Sequence, residues 1–180
     1  MHRGRLIRML ENYATRFPEE VKKAGKFLDF VKFQPRCFER DCWDGHITGS
    51  AWLIDIDSCQ MLLTHHKKLN RWLQLGGHSD GEPDPIKVAL REAQEESGLV
   101  VSPIINDIFD IDIHEIPTNE KEPNHLHYDI RFAMKTLSGK EVTVTDESNA
   151  LAWVSVLDLP SYTQERSILR MVEKSKFLRV

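Results

Sequence analysis

Residues 75–98 read LGGHSDGEPDPIKVALREAQEESG, a glycine- and proline-bearing loop that runs straight into a charged amphipathic segment. Asp84 suits a helix N-cap, Pro85 the first helical position, and Gly98 the left-handed residue that closes a helix. The spacing therefore predicts one helix over residues 85–97. Ile86, Ala89, Leu90 and Ala93 fall on one side of it and form the core-facing stripe. Glu92, Glu95 and Glu96 fall together on a neighbouring face, because positions three and four apart are adjacent on a helix. Like charges so placed destabilise a helix by roughly 0.2–0.5 kcal/mol per pair. They also sit at the C-terminal end, where the helix dipole disfavours negative charge. A cation held by all three would remove both penalties.

The ligand type indicates the class of cation. Three carboxylates with no cysteine beside them favour a hard ion, Mg2+ or Mn2+. Mg2+ keeps part of its water shell and shares the rest with substrate phosphates. Arg91, one turn before Glu95, is placed to orient it through a charge-assisted pair. Gly76, Gly77 and Gly81 permit a tight loop whose backbone approaches a ligand closely. A charge run on a helix is most often a solvated face. The glycine loop at fixed spacing ahead of this one favours a loop–helix unit that holds a metal against a diphosphate.

The stretch resembles the Nudix box, G-x5-E-x7-R-E-U-x-E-E-x-G-U with U apolar. Counting from Gly77, the chain places Arg91, Glu92, Ala93, Glu95, Glu96, Gly98 and Leu99 on the pattern. One fixed position departs: Pro83 stands where the family has its first glutamate, with Glu82 beside it. The resemblance implies an α+β fold, the Nudix fold, with a mixed sheet between helices. Residues 1–43 would be an N-terminal helical extension and residues 44–180 the hydrolase domain. Glu92, Glu95 and Glu96 would be metal ligands, joined by the Gly76 carbonyl, and with Arg91 they would form the catalytic centre.

The implied activity is Mg2+- or Mn2+-dependent cleavage of a diphosphate bond in a nucleoside diphosphate derivative, a small-molecule substrate. Metal ions polarise the phosphoryl oxygens and help activate a water. One carboxylate would act as base, either from the box helix or from a later loop. Glu147, in TDESNALAW, resembles the loop position some members use; a turn residue in a polar loop is its plainer reading. A homodimer is an expectation at family level only. Two other readings compete. An isomerase of the isopentenyl diphosphate type shares the fold but looks for a cysteine just ahead of a Gly-His pair, where this chain has Gly76 before Gly77-His78. A non-catalytic Nudix-like nucleotide-binding module would tend to lose box carboxylates. All three survive here, while Pro83 keeps that reading open.

Outward from the box, Leu6, Leu10, Tyr13 and Phe17 share one stripe and predict a first helix. Pro18 breaks it and opens a second, carrying Val21, Ala24, Leu28 and Val31. Residues 34–45 show no period and read as a connection. ITGSAWLIDID (47–57) and QMLLTHH (60–66), parted by a polar turn at Ser58, read as antiparallel neighbours. WLQL (72–75) reads as a short strand. FDIDIHEI (109–116) and HLHYDIRFAM (125–134) alternate at every residue. A Ser138-Gly139 turn leads to a strand EVTV (141–144), and ALAWVSV (150–156) is a further strand. Ser161 and Gln164 read as the capping box of a last helix with Ile168, Met171 and Val172 inward. One long helix inside a series of strands is an α+β pattern, not a βαβ repeat.

The bulk figures bound the rest. The chain has 180 residues, 41% hydrophobic, with a formal net charge of −4. That suits one domain and argues against coating nucleic acid, which needs a basic face. No apolar run approaches roughly 18 residues, so no membrane span is expected. The basic N-terminus MHRGRLIRML lacks an apolar segment of signal-peptide length. Cys37, Cys42 and Cys59 form no CxxC pair, which fits a reduced, cytoplasmic protein.

Further substrate contacts are expected at Arg71, His78, His127 and Asp129. Arg71 belongs to a basic run, His65-His66-Lys67-Lys68, that leads into the box; a solvated turn is equally compatible. His78 lies inside the box loop. His125, His127 and Asp129 share a strand face and would line a metal site, a substrate site or a polar pocket wall, against the alternative of a strand facing solvent. No Cys or His partner stands at zinc-site spacing from them. Trp43, Trp52, Trp72 and Trp153 are expected in the core, with stacking on a nucleobase as the less favoured role.

Overall fold

Strand β1 (His46–Asp55) is buried at every residue, and the rest of the fold is arranged around it. In this computed structural model, which describes residues 3–146 and 148–178, β1 pairs along most of its length with β7 (His125–Thr136) in parallel. Its other edge is shared by two antiparallel partners. β4 (Leu75–His78) covers Thr48–Ala51, and β2 (Gln60–His66) covers Ile54 and Asp55. β2 extends the sheet to β3 (Arg71–Leu73) and β8 (Ser148–Ser155). β7 carries β5 (Val101–Pro103) and β6 (Asp110–Ile116) on its far edge. The expected mixed sheet is present, and its mixture comes from the parallel β1–β7 pair.

Helices cover both faces. α1 (Arg3–Arg16), α2 (Val21–Phe33) and α3 (Pro85–Ser97) pack on the face carrying Ile47, Ala51, Leu53, Ile130 and Phe132. α5 (Arg166–Ser175), which follows the short α4 (Leu159–Tyr162), packs on the face carrying Trp52, Ile54 and Leu63. Gly49 lets α3 lie close against β1: a Cβ there would be 2.7 Å from the Pro85 carbonyl and 2.8 Å from Val88 Cβ. One core cluster contains Leu6, Tyr13 and Phe27 of the N-terminal helices together with the sheet. Phe30 stacks on Tyr128 of β7, with centroids 3.9 Å apart.

Several expectations are corrected. In α2 the buried positions are Ala24, Phe27 and Val31, while Val21 is exposed, because a 3-10 turn over Pro18–Glu20 precedes the helix and rotates its stripe. Residues 141–144 form no strand: the Thr143 amide bonds to the Ser97 carbonyl at the end of α3, not to a ladder. Ser161 lies within α4, and α5 starts after Glu165, which caps it with no side-chain bond. Pro160 starts α4 early, and Thr163 turns extended before α5 can continue it. On the polar side of the alternating segment of β7, His125, Asp129 and Arg131 are buried and His127 is half-buried.

Candidate active site

α3 runs from Pro85 to Ser97, as the box pattern predicts, and Gly98 closes it in the left-handed conformation at φ 73°. Asp84 stands at the N-cap but gives no side-chain cap bond; its carboxylate meets Arg5 of α1 instead. The helix therefore presents its last two turns to the glycine corner of β4. Glu96 is buried there, and its Oε1 accepts the Gly76 amide at 2.7 Å. Glu92 lies against Gly77 so closely that a Cβ at residue 77 would fall 2.5 Å from the Glu92 carboxyl carbon. Glu95 is outermost, its side chain 65% exposed.

Arg91 ties this corner together. Its guanidinium donates to the His78 carbonyl at 2.8 Å and to Glu92 at 2.6 Å, and it approaches Glu95 at 3.8 Å. These contacts raise its pKa, through the Glu92 bond first. Glu82 turns elsewhere: its Oε1 accepts the Asp84 amide at 3.0 Å. Loop and helix are thus held by Arg91 and Glu96, with Glu82 serving the start of the helix. Chemically, the corner offers carboxylate oxygens on one side and peptide groups on the other.

The sequence model of the NUDIX domain matches residues 47–173, more than half of the chain. The chain belongs to the Nudix hydrolase family. Among solved structures it is similar to a Nudix-family hydrolase from Clostridium perfringens, at 29% identity and a TM-score of 0.57 over 74% of this chain and 98% of that one. A UDP-X diphosphatase shares the fold at 14% identity and a TM-score of 0.57, over 97% of this chain and 92% of that one, the N-terminal helices included. An Ap4A hydrolase from C. elegans shares it at 16% identity and a TM-score of 0.53, over 73% and 96%. No curated protein matches the chain.

Around the Nudix corner the other expected residues are distributed unevenly. His78 ends β4, its Nδ1 2.6 Å from Arg40. Burial first, then Arg40 and the neighbouring histidines, push its pKa down to about 3, so the ring is neutral. His127 also titrates far below the ordinary range, through burial and then His78 and His46. Asp129 is buried and fully engaged: it accepts Thr48 at 3.0 Å, Ser50 at 2.7 Å, Gln74 at 3.2 Å and Arg131 at 2.7 Å. Arg71 lies on β3 and pairs with Glu165 at 2.9 Å. Lys67 turns to the Asp146 carbonyl, and His65 packs on Trp72. Glu147 lies outside the described residues. Trp52 is buried with its indole donating to Ser175, whereas Trp43 is exposed beside His125.

Sequence reading missed two features. His46 opens β1 and carries no motif; the parallel β1–β7 register sets it opposite His127. Two rows further along, Asp110 gathers Arg131 at 3.2 Å, Arg170 at 2.7 Å and Lys174 at 2.6 Å. Burial alone would raise the Asp110 pKa, but these cations hold it below the usual carboxylate range. The same holds for Asp112, where burial is opposed by His114, Arg131 and Arg170. Nothing in the spacing of Asp110, Arg131 and Arg170 announces their meeting.

Proposed function

We propose that this Nudix hydrolase is Mg2+- or Mn2+-dependent and cleaves the diphosphate bond of a nucleoside diphosphate derivative. The observation that carries the reading is the meeting of Glu92 and Glu96 with the Gly76-Gly77 backbone. The donors at this corner, Glu92, Glu95, Glu96 and the Gly76 carbonyl, are all oxygens, which suits a hard divalent ion. Glycine at residue 77 leaves the space in which the Glu92 carboxylate sits, a cradle that a Cβ would fill. When bound, the ion polarises phosphoryl oxygens and makes a coordinated water more acidic.

The chain's own residues do the positioning. Glu96 anchors Gly76 through its amide and so fixes the direction of the adjoining peptide groups. Arg91 spans the loop and the helix, keeping Glu92 turned towards the corner. Holding the reacting groups in place before reaction lowers the entropic part of the barrier. A box-helix carboxylate takes the proton of the attacking water, with Glu147 of the later loop as the second candidate. Neutral His78 at the end of β4 serves as a hydrogen-bonding contact for the substrate's anionic part. Three free thiols, two of them buried, fit a reducing compartment, and we read the protein as cytoplasmic. A homodimer stays a proposal by family likeness.

The test is a turnover panel with Mg2+ or Mn2+: ADP-ribose, NADH, dinucleoside polyphosphates, UDP-sugars, nucleoside triphosphates and CDP-alcohols. Hydrolysis of at least one member is expected, abolished by a chelator and strongly reduced by Glu96→Gln. Failure to turn over any member would favour a nucleotide-binding module, and undiminished turnover by Glu96→Gln would show that the corner is not the catalytic centre.

A further inference from the structure

The polar face of the sheet carries a gathering of imidazoles away from the box helix. His46 lies opposite His127 across β1–β7, and His127 lies opposite His114 across β7–β6, so three histidines stand in one row. His125 shares their face two residues before His127. Ring centroids are 4.7 Å apart for His46–His127, 4.9 Å for His46–His125 and 5.2 Å for His125–His127. The ring nitrogens that His46, His125 and His127 offer lie within 4.8 Å of one another.

Their hydrogen bonds fix which nitrogen is available. His46 Nδ1 faces the Cys42 carbonyl at 3.4 Å, and His125 Nδ1 faces the Pro123 carbonyl at 2.8 Å. A carbonyl only accepts, so both Nδ1 atoms carry the proton and both Nε2 atoms carry a lone pair. His46 is 1% exposed, and its Nε2 is buried with no hydrogen-bond partner among the described residues. Buried polar atoms are seldom left so. His125 Nε2 lies 3.3 Å from His127 Nε2; with the lone pair on His125, His127 Nε2 carries the proton, which passes to that ring's Nδ1 when a metal takes its place. Zn–N bonds of about 2.0–2.1 Å in a tetrahedron put ligand nitrogens about 3.3 Å apart. Imidazoles held by an Nδ1–H to a backbone carbonyl, with Nε2 turned inward, have the supporting bonds that metal-binding histidines use.

We propose that His46, His125 and His127 bind a borderline transition-metal ion of the Zn2+ class through their Nε2 atoms, at a site separate from the box carboxylates. Three imidazole nitrogens select such an ion over Mg2+, and three protein ligands leave a fourth position open. His78 is not a fourth ligand. Arg40 can only donate, so His78 Nδ1 accepts from it and Nε2 holds the proton. His78 therefore stands ready to donate to a water or anion at the open position. Arg40 and Trp43, which touch His78 and His125, line a cleft of about 370 Å3 beside these rings. The site does not depend on the hydrolase reading.

The full-length protein, stripped with a chelator, is titrated with Co2+ as the spectroscopic stand-in and then with Zn2+. One equivalent of Co2+ is expected to give visible bands of a low-coordinate, nitrogen-ligated ion, which Zn2+ displaces. Zn2+ should raise Tm by about 5 °C or more at saturating concentration. His127→Gln and His46→Asn should each weaken binding about 100-fold, while Glu92→Gln and Glu96→Gln leave it intact. No saturable signal, a signal that the histidine variants do not change, or one that the box variants abolish would overturn the site. Should the histidine variants fail to fold, wild-type NMR decides. Zn2+ must shift the Nε2 resonances of His46, His125 and His127, and unmoved resonances refute the proposal. Mg2+-dependent turnover is scored separately, so loss of either reading leaves the other standing.

Discussion

The acidic end of α3 and the buried rows of β1, β6 and β7 are both dense in charge, and they settle it in opposite ways. In the rows, Asp110 meets Arg131, Arg170 and Lys174, and Asp129 meets Arg131 and three neutral donors. At the end of α3, Glu92 and Glu95 lean on Arg91, and Glu96 rests on a backbone amide. Charge that the fold neutralises with its own cations is architecture, because a buried ion needs a partner in place. The carboxylates at the end of α3 are the ones we propose hold the metal ion. Asp129, expected as a substrate contact, has its hydrogen bonds within the buried rows.

The sharpest way to break this comparison is to exchange the readouts. Asp110→Asn leaves Arg131, Arg170 and Lys174 facing a neutral group, and we expect a loss of about 3–5 kcal/mol. That is a fall in Tm on the order of 10 °C by calorimetry. The folded fraction should keep kcat within about twofold of the wild type, as a group outside the chemistry would. The effect is pH-dependent with a definite sign. Asp110 and Asp112 titrate below their unfolded values, so their stabilisation is present above about pH 4 and is lost as pH falls through the lowered folded values. The stability gap between Asp110→Asn and the wild type should therefore narrow in acid melts.

Glu96→Gln should do the reverse. We expect kcat to fall on the order of 10²–10³-fold, about 3–4 kcal/mol, the scale of losing one preorganised electrostatic contact. Its Tm should hold or rise slightly, since the repulsion with Glu92 one turn away is relieved. A Glu96→Gln protein that melts early yet turns over normally would collapse the distinction between the two regions.

Gly77→Ala sharpens the comparison further. The added methyl would meet the Glu92 carboxyl carbon at 2.5 Å, so the carboxylate must move. We expect the Mg2+ concentration for half-maximal rate to rise about tenfold. A metal titration of initial rates checks this, and an unchanged midpoint would place the ion elsewhere.

Glu82→Gln should have the smallest effect. Its carboxylate accepts the Asp84 amide, a contact that glutamine can keep. A stability change below about 1 kcal/mol and a kcat change below about threefold are expected. A hundredfold loss of turnover would mean that Glu82 takes the place left by Pro83 in the working enzyme.

Legibility varied with the distance over which the determining interactions act. α3 was readable to the residue, because N-terminal proline, the apolar stripe and C-terminal glycine all act within one or two helical turns. Alternation exposed β6 and β7 but left their polar faces ambiguous, since a strand facing water and one facing a buried ionic row have the same period. The strand expected over residues 141–144 is absent because the Thr143 amide meets the end of α3, a partner remote in sequence. β5, three residues long, is too short to show a period at all.

The sequence by itself determined the box, its helix, the strand-rich order around it and the family, because these rest on local periodicity and on fixed short spacings. Tertiary structure decided which charges meet inside the molecule. Only the parallel register of β1 and β7 sets His46 opposite His127, and only the packing of α5 brings Arg170 and Lys174 to Asp110. These pairs lie some eighty and sixty residues apart in the chain, so no local pattern encodes them. The free energy that joins them comes from burying the sheet between its two helical layers.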